Sequence, residues 1–121
     1  MKYFYDSYVV IEYLGGNQTY KQYFEENEGI LISMNLLEIH HSLLKNFSEP
    51  EADNTINLFW SFINEPNAID IISASKFKLA HKKRNLSYID CIDYVMAKRI
   101  GIKFLTGDKE FNGFDNVEYI K

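Results

Sequence analysis

Four acidic residues, Asp6, Glu38, Asp90 and Asp108, carry most of the chemical interest of this chain. Asp108 lies in "IKFLTGDKEF", where the apolar run from Ile102 to Leu105 stops at Thr106-Gly107 and an acid follows at once. Asp6 likewise follows the aromatic run "KYFY". Glu38 and Asp90 fall in the first turns of segments with helical spacing. Each acid also has a local reading. Asp6 is placed to cap a helix. Asn35-Leu36-Leu37-Glu38 fits a capping box with Asn35 as cap, and Ser87-Tyr88-Ile89-Asp90 follows the same grammar. Asp108 can cap a short helix running to Phe111. Considered together, the acids suggest more. Four carboxylates in one cleft repel, and some protonate unless cations are present. Hard oxygen ligands suit Mg²⁺ or Mn²⁺. Such an ion can polarise a phosphate and activate a water molecule at neutral pH.

The elements that must position these acids read as an alternation of strands and helices. Strands are expected over Lys2 to Tyr5, Gly29 to Ser33, Ala68 to Ser73 ("AIDIIS"), "IKFLT" and Asn116 to Ile120. Helices are expected over "SYVVIEYLGG", "QTYKQYFEEN", "MNLLEIHHSLLKNF", "EADNTINLFWSFIN", "SKFKLAHKKRN" and "SYIDCIDYVMAKRIG". Pro50 suits the first turn of the fourth. Short apolar strands between helices imply a mostly parallel, roughly five-stranded sheet covered on both faces. The expected fold is therefore α/β, a three-layer α/β/α sandwich. In such sheets function gathers at the carboxyl ends of the strands. Asp6, Glu38 and Asp108 would project toward that edge, and Asp90 reaches it if its helix starts there.

Composition bounds the possibilities. The 121 residues fit one domain spanning 1–121, and 46 % hydrophobic with 16 % aromatic residues is a globular composition. The single cysteine, Cys91, excludes an internal disulfide and a cysteine zinc site. It reads as a buried thiol rather than a nucleophile. No signal peptide is evident in "MKYFYDSYVV", and no apolar run approaches the ~20 residues of a membrane helix, so a soluble, cytoplasmic protein is expected. A net charge of −4 runs against the usual basic footprint of a nucleic-acid binder. The densest basic stretch holds Lys76, Lys78, His81, Lys82, Lys83 and Arg84. It reads either as a solvated helix face or as a strip that guides a nucleic-acid backbone, with Lys82, Lys83 and Arg84 as the candidates.

The segments "FYDSYVVIEYL", "NLLEIHHSLL" and "YIDCIDYVMAKRIGIKFLTGDKEF" resemble the PIN domain family, and within it the VapC-like ribonuclease toxins of type II toxin–antitoxin pairs. The resemblance spans nearly the whole chain. It implies a metal-dependent endoribonuclease whose acidic quartet is Asp6, Glu38, Asp90 and Asp108, with Mg²⁺ or Mn²⁺ as cofactor. The family's supporting hydroxyls carry over to Thr106 and Ser7. Tyr8 departs from the pattern, because the family usually has Asn, Ser or Thr there. The resemblance also implies an RNA substrate, a cognate antitoxin whose tail blocks the acidic site, and a homodimer. The cluster Tyr13, Tyr20, Tyr23 and Phe24 marks the expected dimer patch.

Asp93 lies three residues after Asp90, on nearly the same helix face. It reads as a supporting or alternative ligand, or as an exposed helix acid. His40 and His41 are adjacent and point apart, so no histidine pair has zinc-site spacing. Asp53, Asp70 and Asp115 have no comparable placement. Other readings remain open: a PIN nuclease outside a toxin system, a receiver-like signalling domain, or an inactive PIN scaffold kept for binding. A receiver needs adjacent acids after the first strand, whereas Asp6 is followed by Ser7. It also needs a phosphoacceptor ending the third strand, where this chain has Ser73-Ala74.

Overall fold

A computed structural model describes residues 1–121. The first strand, β1 (Lys2–Tyr5), alternates as a strand buried on both faces must. Tyr3 and Tyr5 enter one core, with Val9, Val10, Leu31, Leu36 and Ile39. Phe4 enters the other, with Ile30, Ile32, Tyr94, Met96, Phe104 and Phe111. The third strand in the chain, β3 (Lys103–Thr106), repeats the pattern, with Leu105 in the first core and Phe104 in the second. Burying aromatic side chains of this kind contributes roughly 1.5–3 kcal/mol each, so the two cores fix the sheet in the middle layer.

Four strands form the sheet in the order β2-β1-β3-β4, with β2 at Glu28–Ile30 and β4 at Val117–Tyr119, and every pairing is parallel. Leu31 adds one parallel bridge to Ile63 beyond β2. The helices are α1 (Ser7–Leu14), α2 (Lys21–Glu25), α3 (Ser33–Asn46), α4 (Glu49–Phe59), α5 (Ala68–Ala80) and α6 (Tyr88–Ile100). Helix α1 contributes to the first core and α6 to the second, which gives the expected three-layer α/β/α arrangement. Pro50 sits in the first turn of α4, which Ser48 caps. Helix α6 ends at Gly101, whose φ of 86° is the left-handed conformation that glycine adopts without a Cβ penalty. No helix is long and apolar enough to cross a membrane.

Two expectations need correction. The segment "AIDIIS" is the start of α5, not a strand, so the sheet has four strands rather than five and no strand ends at Ser73-Ala74. Local chemistry explains it. Asn67 Oδ1 accepts from the Asp70 backbone N–H at 2.8 Å, and Asp70 Oδ2 accepts from the Asn67 N–H at 2.9 Å. This reciprocal cap starts a helix. Asp70 and Ala74, four residues apart, are buried, while Ile69, Ile71 and Ile72 stay exposed. Arg99 on α6 then grips Asp70 through two hydrogen bonds of 2.7 and 2.8 Å. That pairing holds the Asp70 carboxyl below the usual carboxylate range.

The second correction concerns the aromatic cluster on the early helices. Tyr20 and Tyr23 are buried, and Tyr13 and Phe24 pack against the first core. Phe24 stacks on Tyr5 and Tyr13 at 4.3 and 4.2 Å between ring centres. These rings are committed to the monomer fold. Exposed apolar residues include Leu58, Trp60 and Phe62 near the end of α4 and Ile69, Ile71, Ile72 and Leu79 on α5.

Candidate metal centre

The carboxyl ends of β1 and β3 are adjacent because the two strands pair directly, with Tyr5 opposite Leu105. Asp6 and Thr106 therefore sit side by side at the end of that pair. The Asp6 backbone N–H extends the pairing by donating to the Leu105 carbonyl at 3.0 Å. Thr106 Oγ1 donates to Asp6 Oδ2 at 2.7 Å and accepts from the Asp108 backbone N–H at 3.0 Å. One buried hydroxyl thus links the first acid to the turn that carries the last. Asp6 Oδ1 accepts from the Tyr8 N–H at 3.3 Å, so Asp6 caps α1 as well. Asp108 caps the short 3₁₀ turn Lys109–Phe111, accepting from the Glu110 N–H at 2.9 Å. The capping readings of these two acids hold, and they coexist with a place at the carboxyl edge of the sheet. A side chain at Gly107 would force its neighbours to shift. A Cβ there would fall 2.7 Å from Tyr20 Oη and 2.8 Å from the Tyr8 ring.

Glu38 and Ser7 meet across the α1–α3 contact, where Ser7 Oγ donates to Glu38 Oε1 at 2.7 Å. The expected capping box with Asn35 as cap is not formed. Asn35 is the third residue of α3, and its Oδ1 accepts from the backbone N–H of Ile32 at 2.9 Å. Its amide nitrogen donates to Ser7 Oγ at 2.9 Å and to Asp93 Oδ2 at 2.7 Å. Glu38 is left free of capping. At the start of α6, Ser87 is the cap, its Oγ accepting from the Asp90 N–H at 3.0 Å. Asp93 is not an exposed helix acid. Its exposure is 0 %, and its Oδ1 has no hydrogen-bond partner.

Electrostatics tie these groups together. Burial pushes the Asp6 carboxyl up to about 6, Thr106 and the Tyr8 N–H partly offset that, and the charges of Asp108 and Glu38 raise it further. Burial pushes Asp90 up to about 8, Asp6, Glu38 and Asp108 add to the rise, and the Ser87 hydroxyl partly offsets it. Burial raises Asp93 well above the carboxylate range despite the Asn35 hydrogen bond, and Asp90, Asp6 and Glu38 raise it more. Asp6 and Asp90 thus feel the charge of Glu38 and Asp108, and their proton affinity is high through burial first and repulsion second. Such a cluster is stabilised by added positive charge.

The donor set is all oxygen, with no cysteine or histidine among it, which suits a hard divalent cation. As they stand, no three of these side chains come close enough to enclose an ion. The orphaned Asp93 Oδ1 adds an unsatisfied buried acceptor next to the cluster.

The remaining candidates lie outside this cluster or at its border. Arg84 Nη1 donates to the Glu110 carbonyl at 2.6 Å, and its guanidinium lies 4.5 Å from the Phe114 ring centre. The basic turn that carries exposed Lys82 and Lys83 therefore adjoins the segment just after Asp108. Tyr8 is partly exposed and packs its ring toward Gly107. Cys91 is buried, as expected. His40 pairs with Asp53 at 2.7 Å on the surface. His81 is half-buried at the end of α5, its ring 4.6 Å from Phe77 and 4.9 Å from Phe114 between centres. Asn35 is the residue that sequence reasoning assigned to the wrong task. No spacing in the sequence signals that task, because its partners Ser7 and Asp93 lie on other helices.

The PIN domain family model matches residues 3–117. No curated protein matches the chain in sequence. Among solved structures, a toxin–antitoxin complex from Klebsiella pneumoniae contains a chain 18 % identical, with TM-score 0.77 and coverage of 97 % of this chain and 98 % of that one. VapBC2 from Rickettsia felis, bound to a DNA fragment from its promoter, is 16 % identical with TM-score 0.72, covering 99 % and 98 %. VapBC-1 from nontypeable Haemophilus influenzae is 16 % identical with TM-score 0.71, covering 99 % and 97 %. At these identities the likeness concerns the fold. The family model spans almost all of the sequence, and the fold is similar over nearly the full length of these structures, so this chain belongs to the PIN domain family.

Proposed function

We propose that this protein is a metal-dependent endoribonuclease that hydrolyses RNA phosphodiester bonds, and that it is the toxin of a type II toxin–antitoxin pair acting in the cytoplasm. The observation that carries the reading is the raised proton affinity of Asp6 and Asp90, through burial and through the neighbouring charges of Glu38 and Asp108, beside the hydroxyls of Thr106 and Ser7. An arrangement that raises the proton affinity of its own acids costs stability. It is explained if the site exists to take up cations.

In this reading Asp6, Glu38, Asp90 and Asp108 hold one or two Mg²⁺ or Mn²⁺ ions. Bound there, the ions supply charge stabilisation at the phosphate and an activated water molecule. The chain's own residues prepare the site. Thr106 fixes Asp6 Oδ2 and, through the Asp108 N–H, the turn beside it. Ser7 occupies Glu38 Oε1 and leaves Oε2 for a ligand. Both hydroxyls are already engaged with carboxylates, so they orient ligands and are poorly placed to attack. Asp93 supports the cluster from inside the protein. Lys82, Lys83 and Arg84 border the site near Glu110 and offer positive charge to the RNA backbone.

Support for the toxin assignment comes from family membership and from the similar solved structures, which include a toxin–antitoxin complex and VapBC assemblies. A cognate antitoxin and a second copy of this chain are the proposed partners. The exposed apolar residues Trp60, Phe62, Ile69 and Ile72 are surfaces for such partners to cover. The test is incubation of the purified protein with single-stranded RNA in Mn²⁺, Mg²⁺ or chelator. Cleavage that requires the ion and is lost in Asp108→Asn supports the reading. Cleavage that persists in chelator refutes it.

A further inference from the structure

We propose that Asn35 is a positioning residue that sets which oxygen of Glu38 faces the candidate metal centre, through a hydrogen-bond chain running from Asp93 through Asn35 and Ser7. The inference rests on the metal-centre reading above and adds to it a residue that neither the acidic quartet nor its neighbouring hydroxyls include.

The polarity of the chain is fixed by the backbone. The Ile32 N–H donates to an oxygen of the Asn35 side chain at 2.9 Å, because a backbone amide can only donate. That atom must be Oδ1, so the other end of the amide is the NH₂ group. Its two protons have two acceptors, Asp93 Oδ2 at 2.7 Å and Ser7 Oγ at 2.9 Å. Ser7 Oγ therefore receives one proton from Asn35 and has only its own proton to give. It gives that proton to Glu38 Oε1 at 2.7 Å. No rotation of the Asn35 amide or the Ser7 hydroxyl satisfies these contacts in reverse. An ionised Glu38 is thus the acceptor on Oε1, and Oε2 stays free of this chain.

Burial makes the chain rigid. Asn35 and Asp93 are each 0 % exposed and Ser7 is 5 % exposed, so water has little access to the inner links, while Glu38 at the outer end is exposed. The residues come from α1, α3 and α6, and one amide thus ties three helices to one ligand. Outer groups that orient metal ligands in this way typically change metal affinity by ~10–100-fold when removed. Asp93 has one task in this chain, to accept at Oδ2, and an amide oxygen can do the same. Asp93→Asn should therefore preserve the chain, whereas Asp93→Leu should break it.

The test measures Mn²⁺ affinity of the RNA-free protein by calorimetric titration, with the Asn35 side-chain ¹⁵N–¹H₂ signals of the metal-free protein as a second readout. Asn35→Asp keeps the acceptor for Ile32 but removes both donors. It should weaken Mn²⁺ binding by roughly 10–100-fold. Ser7→Ala, a small change expected to fold if Asn35→Asp does not, should weaken it in the same direction. Asp93→Asn should weaken it less than Asp93→Leu does, because only the leucine removes the acceptor for Asn35. The Asn35 amide protons should exchange slowly with solvent. Unchanged Mn²⁺ affinity in both Asn35→Asp and Ser7→Ala overturns the inference alone, as does fast exchange of the Asn35 amide. Loss of affinity in Asp93→Asn as large as in Asp90→Asn also overturns it, because Asp93 is then a ligand. No saturable Mn²⁺ binding by the wild type sinks the metal-centre reading and, with it, any role for the chain.

Discussion

Asp90→Asn should stabilise the metal-free protein at pH 8, destroy activity, and lose the stabilisation that Mn²⁺ gives the wild type. The folded-state pKa of Asp90 is raised from 3.8 to about 8. A raised carboxyl favours folding below its unfolded value, near pH 4, and that contribution is lost as pH rises through the folded value. Between pH 4 and pH 8 the wild type therefore becomes less stable as Asp90, and with it Asp6, must ionise among its neighbours. A tenfold change in proton affinity corresponds to ~1.4 kcal/mol. The whole difference between the folded and unfolded values is an upper bound, because Asp90 is partly exposed and shares its titration with Asp6. Discounting it by half or more leaves ~1–3 kcal/mol, or about 3–12 °C in Tm for a domain of this size. The assay is thermal melting of wild type and Asp90→Asn at pH 5, 6.5 and 8, in chelator and in millimolar Mn²⁺. In chelator the variant should melt higher at pH 8 and near wild type at pH 5. In Mn²⁺ at pH 8 the gap should close or reverse. A variant that melts below wild type at pH 8 in chelator would show that Asp90 serves the fold, and the electrostatic argument would fail.

Three further outcomes are expected from the same geometry. Thr106→Val removes the hydroxyl between Asp6 and Asp108 and leaves a backbone N–H without its acceptor, so it should cost ~1–3 kcal/mol in denaturant melts and lower cleavage with it. Lys82→Ala with Lys83→Ala should weaken RNA binding in fluorescence anisotropy and leave Mn²⁺ affinity unchanged. The logarithmic salt slope should flatten by ~0.7 for each phosphate that is no longer neutralised on a single strand. Light scattering at micromolar concentration should give a dimer. If that dimer covers the α4–α5 surface, emission from Trp60, the single tryptophan, should shift to the red on dilution to monomer.

Much of the fold was legible because alternation and helical spacing are strong in this chain. The runs "KYFY" and "KFLT" are strands in the structure, and the segment from Met34 to Asn46 lies within α3. "AIDIIS" misled because three isoleucines in six residues read as a buried strand. The deciding chemistry lay in Asn67 and in Arg99, which is distant in sequence. The early aromatic cluster misled for a related reason. Composition shows that rings are abundant but not which of them stack on one another. The placement of Asp6 and Asp108 just past strand ends and of Asp90 in the first turn of α6 was legible because strand ends and helix starts are local features. Burial of Asp93 and the true task of Asn35 were not, since both depend on α3 and α6 coming together in space. Neither leaves a trace in the spacing of the residues involved.

Single-turnover cleavage of a short single-stranded RNA by wild type and Asp6→Asn, at saturating Mn²⁺ and with melts of both proteins alongside, tests the central claim most directly. Asn can keep the α1 cap and a hydrogen bond with Thr106, so the variant should stay folded, with a metal-free melting point equal to or above that of wild type. Its cleavage should fall by about 100-fold or more, the scale expected when one group that stabilises charge in the transition state is removed. Cleavage by Asp6→Asn at the wild-type rate would contradict a metal role for Asp6. An unfolded variant would instead assign that carboxylate to the fold.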